Sequence, residues 1–165
     1  MKCIKDIDIK NKNILIRVDY NVPIKDGKVE SDLRIRASLP TINYLLEHGV
    51  KRIILISHLG RPDGKISPDF ILYPTVKVLK KLLPNQTIGF YDLPRKDEHI
   101  PIPEYVKVAL LENLRFDPRE EKNDPEFITN IAKSVDADIY VQDGFAVVHR
   151  AHASTDAIKN YLPIY

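Results

Sequence analysis

Apolar positions along the chain fall into five short, β-branched runs: "NILIRV" (13–18), "RIILIS" (52–57), "TIGFY" (87–91), "VKVALL" (106–111) and "DIYVQ" (138–142). Each predicts a strand. They are nearly continuous rather than alternating, as expected of strands covered on both faces. Helical periodicity fills most of the intervals. "DLRIRASLPTINYLLEHG" (32–49) sets Ile35, Leu39, Ile42, Leu45 and Leu46 on one face, between an Asp32 cap and Gly49. Pro40 inside that segment predicts a kink or a late helix start. "PTVKVLKKLLP" (74–84) is amphipathic and stops at Pro84. "NDPEFITNIAKSV" (123–135) opens with an Asp124 cap, Pro125 at the first helical position and Glu126 in the first turn.

Two segments depart from the alternation. "NVPIKDGKVESD" (21–32) carries Asp26-Gly27 between "VPI" and "KV", the turn chemistry of a β-hairpin. Residues 92–105 hold Pro94, Pro101 and Pro103 with a cluster of charges, and predict irregular structure with at most a short helix. Alternating strand and helix implies an α/β fold. The expected form is a doubly wound parallel sheet, a Rossmann-like three-layer αβα arrangement with helices on both faces. A small β-hairpin follows its first strand.

The 165 residues fit one domain, 1–165, and 44% hydrophobic with 29% charged residues is globular composition. No apolar run approaches the roughly 20 residues that cross a bilayer. The amino terminus, "MKCIKDIDIK", is charged every few residues and lacks a signal-peptide core. Cys3 is the only cysteine, so no internal disulfide can form. The expectation is a cytoplasmic monomer without membrane or nucleic-acid partners. A net charge of +2 adds little; the placement of the basic residues matters more.

In parallel sheets ligands bind beyond the carboxyl ends of the strands. The first strand is followed by Arg17, Asp19 and Asn21, and the second by His58 and Arg61. Glu112, Asn113 and Arg115 follow the fourth, and Asp143, His149, Arg150 and His152 the fifth. Arg34 stands near the start of the first helix. One arginine at a strand end is ordinarily a solvated surface charge. Convergence of several is different, because like charges in one crevice repel unless an anion joins them. Arginine's planar fork takes phosphate and carboxylate in bidentate fashion. The pattern predicts a small ligand with more than one negative group, with Asp19 orienting an arginine or taking a ligand hydroxyl. For His152 a packed, hydrogen-bonded role is an equal reading.

Several motif readings fail on spacing. "GRPDGKI" (60–66) has three residues between its glycines where a P-loop needs four, and Ile66 stands where the metal-binding Ser or Thr belongs. No G-x-G-x-x-G occurs. "VDYNV" (18–22) lacks the second acid of an aspartyl-nucleophile loop, with Asn21 in its place. "HRAH" (149–152) has no second ligand pair nearby, so no metal site is expected.

The chain resembles the N-terminal domain of the phosphoglycerate kinase family over nearly its whole length. The resemblance is carried by "RVDYNVP" (17–23), "RIRASLPTINYLL" (34–46), "SHLGRP" (57–62), "LLENLRF" (110–116) and "HRAHAS" (149–154), in matching order and spacing. It implies two α/β domains across a cleft, the N-terminal one taking 3-phosphoglycerate or 1,3-bisphosphoglycerate. The C-terminal one takes magnesium ADP or ATP. Asp19, Asn21 and Arg34 are implied around the substrate's hydroxyl and carboxyl end. Arg34 is also implied as the catalytic residue that stabilises the transferring phosphoryl group. His58, Arg61, Arg115 and Arg150 are implied as the cradle of the 3-phosphate, with His149 beside it and Arg17 beside Asp19.

Two departures accompany the resemblance. The family usually reads "NDAFGTAHRAH" after the fifth strand, and this chain reads "QDGFAVVHRAH" (142–152). Ala146 replaces a glycine, at a cost of about 1 kcal/mol if that position uses positive φ. Family members are also more than twice as long. The expectation is therefore a substrate-binding part without the nucleotide domain, binding no cofactor and inactive alone. The rival is a stand-alone, non-catalytic anion-binding or regulatory protein derived from that domain.

Overall fold

A computed structural model describes residues 3–163. Its centre is a parallel five-stranded sheet of β1 (Asn13–Arg17), β4 (Arg52–Ile56), β5 (Ile88–Tyr91), β6 (Val108–Leu111) and β7 (Ile139–Gln142), in the order β5-β6-β4-β1-β7. All five predicted strands are present, and their neighbours pair in parallel. The register sets Ile14 beside both Ile53 and Ile139, and Arg17 beside Ile56 and Gln142.

Period-2 geometry divides the strand residues between two buried clusters. Ile14, Ile16, Ile53, Leu55, Val108, Leu110 and Val141 face the first. Leu15, Ile54, Ile56, Ala109, Leu111 and Tyr140 face the second. Each buried Leu or Ile contributes about 1.5–3 kcal/mol of transfer free energy. The first cluster is covered by α1 (Leu33–Ala37), α2 (Leu39–Glu47) and α3 (Tyr73–Leu82), through Ile35, Ile42, Leu45, Val76 and Leu79. The second is covered by α5 (Pro125–Ser134) through Phe127, Ile128 and Ile131, with Ala153 and Ile158.

The segment 32–49 is two helices rather than one. The break falls at Ser38, so Pro40 stands in the first turn of α2, where its missing N–H leaves no bond unmade. Ser38 fills the break: its Oγ donates to the Ile35 carbonyl at 2.8 Å and lies 2.9 Å from the Tyr20 hydroxyl. Asp32 precedes α1 but does not cap it; both carboxylate oxygens take the Arg36 Nε–H instead. Asp124 caps as predicted, accepting from the Glu126 and Phe127 amides. The hairpin of β2 (Ile24–Lys25) and β3 (Lys28–Val29) turns on Asp26 (φ 50°) and Gly27 (φ 68°), both left-handed as a two-residue turn requires. Residues 92–105 are irregular and are held partly by Arg52, which donates to the carbonyls of Ile102, Pro103 and Val106. A short helix α4 (Pro118–Glu121), with Asp117 accepting from the Arg119 amide, was not legible in the apolar pattern.

The loops beyond β4 and β6 are fixed to each other by Asn113, which is fully buried and fully satisfied. Its Oδ1 accepts from the Leu59 and Arg115 amides, and its Nδ2 donates to the Leu59 and Phe70 carbonyls. At Gly60 the backbone is left-handed (φ 60°), and a Cβ there would lie 2.2 Å from the Phe70 ring. Strain and overpacking therefore act together in Gly60→Ala, which is expected to lose about 2–4 kcal/mol of stability. Urea denaturation checks this; a loss under 1 kcal/mol contradicts the packing described.

Candidate functional site

The connections leaving adjacent strands diverge at two places. The chain leaves β1 and β4 toward the first cluster, and leaves β6 and β7 toward the second. Because β4 neighbours β6 and β1 neighbours β7, a crevice opens beyond the carboxyl ends of each pair. All the predicted site residues stand on the segments around these two crevices.

At the β4/β6 crevice the organising group is Arg17, the last residue of β1 and only 1% exposed. Its Nε donates to Ser154 Oγ at 2.9 Å, and Nη1 donates to the Val18 carbonyl at 2.6 Å. Nη2 lies 3.0 Å from His58 Nδ1. Burial works against the Arg17 charge, and Glu120 opposes that effect. Glu120 is itself fully buried, with Oε1 accepting from Ser154 Oγ at 2.5 Å and Oε2 from the Ser154 amide at 3.0 Å. Burial raises the Glu120 carboxyl, while Arg17 and the Ser154 bonds lower it. One serine thus joins a buried cation to a buried carboxylate.

His58 is 4% exposed. Burial first, then the charges of Arg17, Arg115 and Arg150, push its pKa down to about 2. The imidazole is neutral at every physiological pH. Arg115 is equally buried, with Nη1 donating to the Gly60 carbonyl at 2.7 Å. Its Nε lies 3.2 Å from Glu121 Oε1, close enough to pair but not aligned for a hydrogen bond. Arg115 Nε, Arg115 Nη2 and Arg150 Nε are buried donors without a hydrogen-bond partner. Burial also lowers the Arg115 pKa; Glu121 opposes this, and Arg150 and Arg17 lower it further. Unpartnered donors held among mutually repelling cations are the chemistry of an anion site, because an anion relieves both costs.

At the β1/β7 crevice, Asp19 and Arg34 form an ion pair, with the Asp19 side chain 14% and the Arg34 side chain 48% exposed. Asp19 Oδ1 also accepts from the Asn21 amide, and Asn21 Oδ1 accepts from the Gly60 amide at 2.9 Å. Asn21 therefore ties the two crevices together. A cleft of about 280 Å³ opens between Asp19, Arg34, Ser38, Asp143 and Phe145. Thr41 Oγ1 donates to Asp143 Oδ1 at 2.9 Å. A larger hollow of about 490 Å³ lies between Val29, Asp32, Arg36 and Leu82. It holds the internally satisfied Arg36–Asp32 pair and none of the unpartnered donors.

Of the predicted residues, the structure brings His58, Arg115 and Arg150 to one crevice and Asp19 and Arg34 to the other, with Asn21 between. Arg61 and His149 are exposed on the loops that bear His58 and Arg150. Their side chains take no hydrogen bond or ion pair among the described residues. His152 is half-buried; burial lowers its pKa, and Arg115 lowers it further. Glu120, Ser154 and Thr41 were missed. Nothing in their spacing signals a role, because each acts through a partner distant in sequence. Ala146 lies in a 3-10 turn (Phe145–Val147) without positive φ, so the strain anticipated for it is absent.

Burial raises the Asp143 pKa to about 6, and the Thr41 bond offsets only part of this. A folded-state pKa above the unfolded 3.8 means that folding disfavours the carboxylate. The stabilising protonated form is fully present below pH 4 and is lost as pH rises through 6. Asp143→Asn is therefore expected to raise stability above pH 6.5, by about 1 kcal/mol after allowing for partial exposure, and to change nothing below pH 4. Denaturation at both pH values checks it. Destabilisation by the variant at pH 7.5 contradicts the assignment.

The phosphoglycerate kinase family model matches residues 4–165. A phosphoglycerate kinase of Moorella thermoacetica is 48% identical over 162 residues, covering 97% of this chain and 40% of that protein. One from Chloroflexus aggregans is 47% identical over 167 residues, covering 98% and 41%. The solved phosphoglycerate kinase of Coxiella burnetii superposes with a TM-score of 0.83 at 35% identity, covering 98% of this chain and 39% of its own. That of Pyrococcus horikoshii gives 0.81 at 31% identity, covering 99% and 42%. The chain spans about 40% of the length of the curated relatives that it matches. With the family model matching residues 4–165 and these relatives aligned over 97% or more of it, the chain belongs to the phosphoglycerate kinase family.

Proposed function

We propose that residues 1–165 form one α/β domain, the 3-phosphoglycerate-binding part of a phosphoglycerate kinase. The reaction is the glycolytic transfer of a phosphoryl group between 1,3-bisphosphoglycerate and ADP, giving 3-phosphoglycerate and ATP. The observation that carries the reading is the set of buried, unpartnered donors on Arg115 and Arg150 beside neutral His58. A phosphate supplies acceptors for those donors and charge for those cations. The Asp19–Arg34 pair at the other crevice suits the hydroxyl and carboxyl end of the same three-carbon ligand. Arg34, half exposed on the cleft, is free to turn toward charge developing on the transferring phosphoryl group. Phosphoryl transfer needs such positioning and neutralisation more than covalent help.

The magnesium nucleotide is the co-substrate, and in this reading it is held by the part of the relatives that this chain does not span. Among the described residues no cluster of His, Cys, Asp or Glu suits a metal ion, and no helix is long and apolar enough to cross a membrane. The chain acts as a cytoplasmic monomer, and alone it binds substrate without turnover.

Calorimetry with 3-phosphoglycerate tests this. Wild-type chain is expected to bind weakly, and glycerate without its phosphate is expected not to bind. Arg150→Ala and Arg61→Ala should each weaken binding by about 2 kcal/mol, the scale of one lost charged hydrogen-bond set. Absence of binding by the wild type, or unchanged binding by both variants, removes the reading.

A further inference from the structure

We propose that Arg17 is a positioning residue that fixes the His58 tautomer, so that Nε2 carries the proton and donates it to the bound anion. Glu120 and Ser154 hold Arg17 in place for this task. The inference rests on the phosphate-binding reading of the cradle, but its first observable needs no ligand.

A guanidinium has only donors. Its Nη2, 3.0 Å from His58 Nδ1, therefore requires Nδ1 to be the unprotonated acceptor. In a neutral imidazole the single proton then resides on Nε2. No hydrogen bond among the described residues takes up Nε2. The charges around the ring, Arg17, Arg115 and Arg150, all disfavour the imidazolium, and half-buried His152 adds to this when protonated. His58 is thereby a neutral donor with one defined direction, set among cations.

Arg17 cannot turn away from this task. Its Nε is held by Ser154 Oγ at 2.9 Å, and that oxygen's own proton goes to Glu120 Oε1 at 2.5 Å. Its Nη1 is held by the Val18 carbonyl. The chain Glu120–Ser154–Arg17–His58 joins α4, the segment after β7, the end of β1 and the loop after β4. With its other donors committed, only Nη2 is left to face the imidazole. The same arrangement neutralises Arg17 in part, which lowers its repulsion of Arg115 and Arg150.

The test is a long-range proton–nitrogen NMR spectrum of the His58 ring in the 165-residue chain, first without ligand and then with inorganic phosphate. In wild type the ring is expected as the neutral Nε2–H form, without titration between pH 5 and 8, and phosphate should shift the Nε2 proton. In Arg17→Lys the single ammonium cannot span Ser154, Val18 and His58 together. The ring should then show both tautomers, and phosphate affinity should fall by about three- to ten-fold, the scale of one weakened hydrogen bond. Ser154→Ala, which keeps the guanidinium but frees its Nε, is the second variant should Arg17→Lys not fold, and is expected to mix the tautomers likewise. An Nδ1–H ring or an imidazolium at pH 7 in wild type overturns the proposal. So does an unchanged tautomer in either folded variant. A chain with the expected tautomer and phosphate shift that ignores 3-phosphoglycerate would sink the substrate reading and leave this one standing.

Discussion

A single buried charge, the Arg17 guanidinium, sets the terms for the carboxyl edge of the sheet. Taking an arginine out of water costs several kcal/mol unless its donors are met. The last position of β1 places it on the face of the second cluster, beneath loops from three other strands. Those loops supply Ser154, Ser57 and His58, and Glu120 supplies the compensating charge. The requirement works in both directions. The guanidinium gathers the loops after β1, β4 and β7, and the gathered loops present the candidate site. In the proposed reading, stability and anion binding share these bonds, so a variant at Arg17 tests both together.

The altered loop after β7 is accommodated without strain at its core. Gln142 and Val147 sit close to Gly144, where an added Cβ would lie 3.3 Å from Val147 Cγ2 and from the Arg17 carbonyl. Gln142 Nε2 also donates to the Gly144 carbonyl. The missing Cβ at 144 leaves room for the Gln142 and Val147 side chains beside it. Ala146, which replaces a glycine of the usual pattern, occupies an ordinary 3-10 turn. Arg150 is thus delivered to the crevice by a loop whose substitutions fit one another.

Much of the fold was legible because it depends on local periodicity and turn chemistry. Five apolar runs became five strands, Asp26-Gly27 became the hairpin turn, and Asp124 became a cap. The break at Ser38 was legible only as a disturbance at Pro40, because it depends on Tyr20 reaching Ser38 from another segment. Asp32 looked like a cap and is drawn to Arg36 instead, a competition between two local partners that sequence does not rank. The basic residues of the candidate site were legible as types at strand ends. Their states were not. That His58 is neutral, that Asn113 is a staple and that Glu120 backs Arg17 all follow from burial and from contacts more than 30 residues apart in the chain.

The central claim is that the unpartnered donors of Arg115 and Arg150 await a phosphate. A crystal structure of this chain with 3-phosphoglycerate tests it most directly. The account predicts the phosphate within hydrogen-bonding distance of Arg115 Nη2, Arg150 Nε and His58 Nε2, with the carboxylate end toward Asp19 and Arg34. A ligand seated elsewhere, or those donors found paired to protein groups with the crevice bypassed, would contradict it.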